Sequence, residues 1–69
     1  MISYEPFWQT LKDKNISTYT LIQEYKISSS TISRLRNNKG ISTTTINDLC
    51  QILNCKVEQI IKYIPEEEF

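Results

Sequence analysis

Short hydroxyl side chains followed by arginines mark one stretch of this 69-residue chain. Five of the six residues from Ser28 to Ser33 are Ser or Thr, and Arg34 and Arg36 come directly after them. Small hydroxyls allow close approach to another surface and bond to phosphates or base edges, and a guanidinium matches the O6 and N7 acceptors of guanine. The stretch therefore favours contact with DNA, and an ordinary solvated surface is the alternative.

The placement of charge favours DNA. The whole chain has eight basic and eight acidic residues, so its formal net charge is zero. Between residues 25 and 47, however, there are four basic residues and no acidic one, and residues 1–65 carry a net charge of +3. A local excess of positive charge is typical of surfaces that bind a phosphate backbone, although a chance cluster is also compatible with so short a chain.

Residue counts argue against catalysis and metal binding. The chain has no His, which removes the usual general base and the commonest metal ligand. Two cysteines, Cys50 and Cys55, are too few for a zinc site. On a continuous helix they would lie about 140° apart around the axis, which is badly placed for a disulfide. We therefore expect free thiols that pack as small hydrophobic groups, and we predict no catalytic site, no metal and no cofactor.

The elements that position these residues are predicted to be helices, so the fold class is all-α in a single small domain. Serines at positions 17, 28 and 42 precede segments with helical periodicity and are suitable N-caps. In the turn after the third helix, Gly40 is available for a positive φ. The five predicted helices are approximately Pro6–Asn15, Thr18–Tyr25, Ser29–Asn37, Thr43–Leu53 and Lys56–Tyr63, the last stopped by Pro65.

Helical periodicity also predicts the core, whereas no pattern assigns a role to Tyr4 or Tyr63. Residues 1–65 are expected to form the domain, and residues 66–69 an acidic, solvated tail. The predicted core residues are Phe7, Trp8, Leu11, Leu21, Ile22, Tyr25, Ile32, Leu35, Ile46, Leu49, Cys50, Leu53, Val57, Ile60, Ile61 and Ile64.

The segment from Thr18 to Leu35 resembles the helix-turn-helix of Cro/C1-type (Xre family) repressors. Residues 41–55, including both cysteines, are similar to the fourth helix of the compact branch of that family, and residues 57–65 to its last helix. The resemblance covers residues 5–65. It implies a compact five-helix bundle, a lambda repressor-like DNA-binding domain, whose third helix enters the major groove.

The resemblance also assigns DNA-contacting positions on the third helix and around it. Ser29, Ser30 and Arg34 match positions that face the bases. Free N–H groups and the helix dipole suit the starts of helices to phosphate binding. The positions that match contacts with the DNA backbone are Ser17, Thr18, Thr31, Asn38, Lys39, Ser42 and Thr43.

Two residues depart from the family pattern. Ile22 stands where the family usually has a small residue, which bears on how closely the second and third helices pack. Lys26 stands where the family commonly has Gly, and a positive φ there costs a non-Gly residue about 1 kcal/mol or more.

The sequence thus predicts a cytoplasmic, bacterial transcription regulator, a repressor, that binds double-stranded DNA without a membrane or a small-molecule substrate. A homodimer is expected by analogy, with half-sites about 34 Å apart and the fifth helix as a candidate interface. The alternative is a protein-interaction module on the same fold, as in an antirepressor or antitoxin, and a small enzyme is a distant third.

Overall fold

The computed structural model describes residues 1–66, and within them the chain forms four α-helices, a 3₁₀ turn and two short strands. The predicted tail is described at Glu66, and its remaining residues, 67–69, lie outside the described residues. In chain order the elements are β1 (Ile2–Ser3), α1 (Glu5–Lys14), α2 (Thr18–Tyr25), α3 (Ser29–Arg36), α4 (Thr43–Leu53), the 3₁₀ turn (Val57–Gln59) and β2 (Lys62–Tyr63).

Three helices start with the same pair of hydroxyl residues. The side chains of Ser17, Ser28 and Ser42 each accept a hydrogen bond from the backbone N–H of the Thr three residues later, at 3.1 Å. Each Ser Oγ also lies 3.0 Å from the hydroxyl of that Thr. The cap satisfies an N–H group that the first turn leaves unpaired. The predicted starts of α2, α3 and α4 are confirmed.

Asparagine in the left-handed conformation ends three of the helices. Asn15, Asn38 and Asn54 have φ values of 56°, 56° and 50°. After α3, this conformation lets the N–H of Lys39 donate to the carbonyl of Arg34 at 2.8 Å, as in a Schellman motif. Gly40, which was available for a positive φ, does not adopt one. Asn38 takes that conformation, which Asn tolerates better than most residues do.

The predicted fifth helix is wrong. Only Val57–Gln59 is helical, as one 3₁₀ turn, and the chain then extends into β2, which pairs antiparallel with β1 in the register Ile2↔Tyr63 and Ser3↔Lys62. The N–H of Ile64 donates to the carbonyl of Met1 at 2.8 Å. Four of the eight residues 57–64 are β-branched, and β-branched and aromatic side chains favour an extended chain when a partner strand is available.

The core lies between the four helices and the 3₁₀ turn. Tyr25 and Val57 are 47% and 52% exposed, so their predicted burial is wrong, whereas Tyr4, which no pattern assigned, is buried. The hydroxyl of Thr10 donates to the carbonyl of Gln59 at 2.7 Å and ties α1 to the 3₁₀ turn. The buried apolar residues are Tyr4, Phe7, Leu11, Leu21, Ile32, Leu35, Leu49, Leu53 and Ile60.

Lys26 does adopt the strained conformation that its departure from the family pattern predicted. Its φ is 60° and its ψ 28°, in the left-handed region, where it ends α2. The N–H of Ile27 donates to the carbonyl of Leu21 at 3.1 Å, which fixes the turn into α3. Ile22, the other departure, is half-buried and packs against the core.

We predict that Lys26→Gly increases the free energy of unfolding by about 0.5–1 kcal/mol, because Gly removes the left-handed strain but adds entropy to the unfolded chain. Urea denaturation followed by circular dichroism measures the change. Asn54→Gly is the control. It relieves less strain, since Asn tolerates this conformation, and an equal gain in both variants would contradict the account.

The two cysteines lie together at the end of α4, contrary to the expected separation of about 140°. The helix ends at Leu53, and the left-handed Asn54 turns the chain so that the N–H of Cys55 donates to the carbonyl of Cys50 at 3.0 Å. Both thiols are free and half-buried. Burial, and next the neighbouring Cys50 thiol, raise the pKa of Cys55 above its ordinary value of 9.0, while Lys14 acts in the opposite direction.

A raised pKa in the folded state means that Cys55 stabilises the protein below pH 9 and that this contribution is lost as the pH rises through the folded pKa. We therefore expect the free energy of unfolding to fall more steeply above pH 9 in the wild type than in Cys55→Ala. Urea denaturation under reducing conditions from pH 7 to 10 measures the two slopes. Equal slopes would contradict the assignment.

Candidate nucleic-acid interface

Helix α3 presents a broad polar face and a narrow buried edge. Its buried residues are Ile32 and Leu35, 3% and 2% exposed. Ser29, Ser30 and Arg34, the predicted base-facing residues, are all exposed, as is Ser33 one turn after Ser29. The side chains predicted to contact bases therefore lie on the solvent side of one helix, whose other side is held by the core.

Three residues connect α2 to α3, and the connection is held at several points. Lys26 reverses the chain, Ile27 packs against the core, and Ser28 caps α3. Leu21 on α2 and Ile32 on α3 belong to the same buried cluster. The backbone of the turn and the core together fix the direction in which the face of α3 points.

Positive charge concentrates at the C-terminal end of α3 and in the loop that follows. The Schellman motif at Asn38 brings the Lys39 backbone back to Arg34. One guanidinium nitrogen of Arg34 lies 3.4 Å from the carbonyl of Gly40, and the exposed side chain keeps further donors for another partner. Two cationic side chains thus occupy the positions where this motif usually places an apolar contact.

Arg36 is placed differently from Arg34. Its guanidinium carbon lies 5.4 Å from the centroid of the Trp8 ring, and Trp8 in turn packs edge-on against Phe7, with ring centroids 4.9 Å apart. This cation–π contact joins α3 to α1. Both arginines of α3 thus have a partner inside the domain: Arg36 lies over the Trp8 ring on α1, whereas Arg34 contacts the backbone of the loop after α3.

The cationic residues near α3 are not neutralised by the described part of the chain. Within residues 1–66, the ion pair is between Lys62 and Glu5, whose charged atoms are 3.9 Å apart on the surface. The basic residues that form no ion pair among residues 1–66 include Lys26, Arg34, Arg36 and Lys39. This surface can therefore attract an external polyanion without first breaking an internal salt bridge.

The residues predicted to contact the DNA backbone lie at three places. Ser17 and Thr18 start α2, Ser42 and Thr43 start α4, and Thr31 is on the first turn of α3 with its hydroxyl 3.0 Å from Ser28 Oγ. Thr18 and Thr31 are half-buried and the other three are exposed. Helix starts with free N–H groups suit phosphate binding, and the role of each residue stays a prediction.

The remaining two predicted backbone contacts, Asn38 and Lys39, are tied to the start of the chain. The amide nitrogen of Asn38 donates to the carbonyl of Ile2 at 2.7 Å, and the hydroxyl of Tyr4 donates to the carbonyl of Lys39 at 2.6 Å. Sequence reasoning missed Ile2 and Tyr4. No periodic pattern contains them, and their partners are more than thirty residues away.

Two surface hollows, of about 370 and 420 Å³, lie beside the loop after α3 and beside the start of α2. The first separates β1 from the loop after α3, and the second lies at the start of α2. Neither is lined by a carboxylate. Among residues 1–66 no group of three or more acidic or Cys side chains could hold a metal ion. No helix in that range is long and apolar enough to cross a membrane.

Comparisons with known proteins agree with this geometry. Among solved structures, the chain is similar to the crystal structure of the transcriptional regulator VanUg, form II, with 32% sequence identity and a TM-score of 0.84. That match covers 94% of this chain and 87% of the other. No curated protein sequence matches the chain.

A family model also matches the chain, over residues 7–66, and its description is the Cro/C1-type HTH DNA-binding domain. The match includes all four α-helices apart from the first two residues of α1. The chain therefore belongs to the family of Cro/C1-type helix-turn-helix DNA-binding domains.

Proposed function

We propose that this protein is a transcription regulator that binds double-stranded DNA with α3 in the major groove. The observation that carries the proposal is the exposed polar face of α3, flanked by cations that have no ion-pair partner among residues 1–66. The family is one of DNA-binding domains, and the similar structure is that of a transcriptional regulator. In this role Ser29, Ser30 and Arg34 face the bases, and Arg34 contacts guanine.

Contacts with phosphates position α3 and supply most of the affinity. The starts of α2 and α4 direct backbone N–H groups at phosphates, with Ser17, Thr18, Ser42 and Thr43 beside them. Thr31, Asn38 and Lys39 contact the backbone on either side of the recognition face. Binding is stoichiometric and needs no cofactor, and the regulator acts as a repressor by occupying its operator.

A homodimer on a two-fold operator is part of the proposal, with half-sites about 34 Å apart. The fifth helix that was the candidate dimer interface is replaced in the structure by the 3₁₀ turn and β2. Apolar side chains are exposed on these elements and on the first residues of the chain: Met1, Ile2, Val57 and Tyr63 are between 45% and 65% exposed. The same exposed residues support the second candidate function, a protein-interaction module on this fold.

We expect Arg34→Ala to lose about 1–3 kcal/mol of binding free energy on its preferred site and to relax the preference at one base pair. The reason is that a guanidinium reads two acceptors of one guanine at once. Selection of bound duplexes from a random pool, followed by gel shifts at low salt with both proteins, measures the loss.

Arg36→Ala is the matched control, because it removes the same charge from the same helix but from a side chain held by Trp8. Its affinity is expected to change less than threefold, roughly, while the single tryptophan reports on folding. Absence of a retarded band for the wild type at low salt would contradict DNA binding and favour the protein-interaction role. Equal losses in both variants would contradict the assignment of Arg34.

A further inference from the structure

We propose that Tyr4 is a positioning residue for DNA binding, because its hydroxyl fixes the backbone of the loop that carries Lys39. The inference rests on the proposed function and adds that residues at the start of the chain position a loop that contacts DNA. The loop comprises residues 37–42, between α3 and α4, and it contains three of the predicted contacts with the DNA backbone, Asn38, Lys39 and Ser42.

Tyr4 is built into both the core and the loop. Its ring is in the core, with only 6% of the residue exposed, and its hydroxyl donates to the Lys39 carbonyl at 2.6 Å. A buried ring has little freedom to move, so the hydroxyl is a fixed point to which the loop is attached. The side chain of Lys39 remains exposed and is free to reach a phosphate.

A second hydrogen bond connects the same loop to β1. Asn38, in its left-handed conformation, donates from its amide to the carbonyl of Ile2 at 2.7 Å. Ile2 pairs with Tyr63 in the two-stranded sheet, and the terminal ammonium of Met1 donates to the carbonyl of Ile64 at 2.6 Å. Ile2 and Tyr4, at the start of the chain, therefore hold the consecutive loop residues Asn38 and Lys39, and β2 holds Ile2 in turn.

Apolar packing holds the loop at Ile41, which is half-buried against the core, but not at Lys39 and Gly40, which are exposed. The hollow of about 370 Å³ lies between the loop and β1, and Lys39, Gly40 and Ile41 form one of its walls. At Gly40 an added Cβ would meet no heavy atom within 4 Å. The Lys39 N–H also donates to the Arg34 carbonyl at 2.8 Å, which ties the loop to α3. The hydrogen bonds of Tyr4 and Asn38 are the contacts that attach the same backbone to the first residues of the chain across the open space.

Loss of the Tyr4 hydroxyl is expected to reduce DNA affinity without unfolding the domain. A loop that is ordered before binding loses less entropy in the complex, and one that must become ordered binds more weakly. The net contribution of one hydrogen bond corresponds to a loss of about threefold to tenfold in affinity. The loss should be similar on preferred and random duplexes, since the loop contacts the backbone and not the bases.

The experiment compares Tyr4→Phe with Tyr25→Phe, which removes the same hydroxyl from a tyrosine 47% exposed at the end of α2. Affinities for a preferred and a random duplex are measured by fluorescence anisotropy, and circular dichroism verifies folding. Tyr4→Phe is expected to bind about threefold to tenfold more weakly than the wild type, and Tyr25→Phe within about twofold of it. Wild-type affinity of a folded Tyr4→Phe protein would overturn the proposal.

A double-mutant cycle with Lys39→Gln separates positioning from a general loss of stability. If Tyr4 acts through the loop, Tyr4→Phe costs at most half as much binding free energy in the Lys39→Gln background as in the wild type. An equal cost in both backgrounds would overturn the proposal.

Amide hydrogen exchange in the free protein provides a readout that does not require DNA. Tyr4→Phe should accelerate exchange at Lys39, whose N–H donates to the Arg34 carbonyl, by at least about threefold, while exchange in α4 stays unchanged. Unchanged exchange at Lys39 would overturn the proposal. If the wild type binds no duplex, the proposed function fails, and this measurement alone decides whether Tyr4 orders the loop.

Discussion

An eight-residue helix leaves four N–H groups at its start and four carbonyl groups at its end without partners inside the helix, which is half of its backbone polar groups. Both α2 and α3 have this length, so the whole domain depends on how their ends are satisfied. At the starts of α2, α3 and α4, the side chain of a capping serine accepts a hydrogen bond from the N–H of a threonine three residues later. At the helix ends, residues in the left-handed conformation turn the chain so that following N–H groups bond to free carbonyls. The position and direction of α3 follow from these local solutions together with the burial of Ile32 and Leu35.

The constraint on helix ends also explains where the charge is placed. The Schellman motif at Asn38 returns the backbone of Lys39 to the carbonyl of Arg34, at the end of the helix whose exposed face is polar. A zero net charge for the whole chain conceals this arrangement, because acidic residues 66–68 offset a domain of net charge +3. The distribution of charge over the surface, and not its sum, is the property that bears on binding a polyanion.

Much of this structure could be predicted from local sequence, since caps and helical periodicity act over only a few residues. The bounds of α2 and α4, the three serine caps and the exposed face of α3 are of this kind, whereas the left-handed conformation of Lys26 follows from the resemblance to the Cro/C1-type family. The segment after Cys55 could not be predicted in the same way. Its strand depends on residues at the opposite end of the chain, and its apolar spacing suits a helix equally well. The hydrogen bond from Tyr4 to Lys39 has no local signal for the same reason.

We propose that the face of α3 and the loop after it together bind DNA. An NMR titration of the ¹⁵N-labelled protein with a short duplex at low salt tests it most directly, because each amide reports separately. We expect the largest shift changes at Ser29, Ser30 and Arg34, with further changes at Lys39 and at the starts of α2 and α4. Changes confined to β1, β2 and the 3₁₀ turn, or no change at a duplex excess, would contradict it.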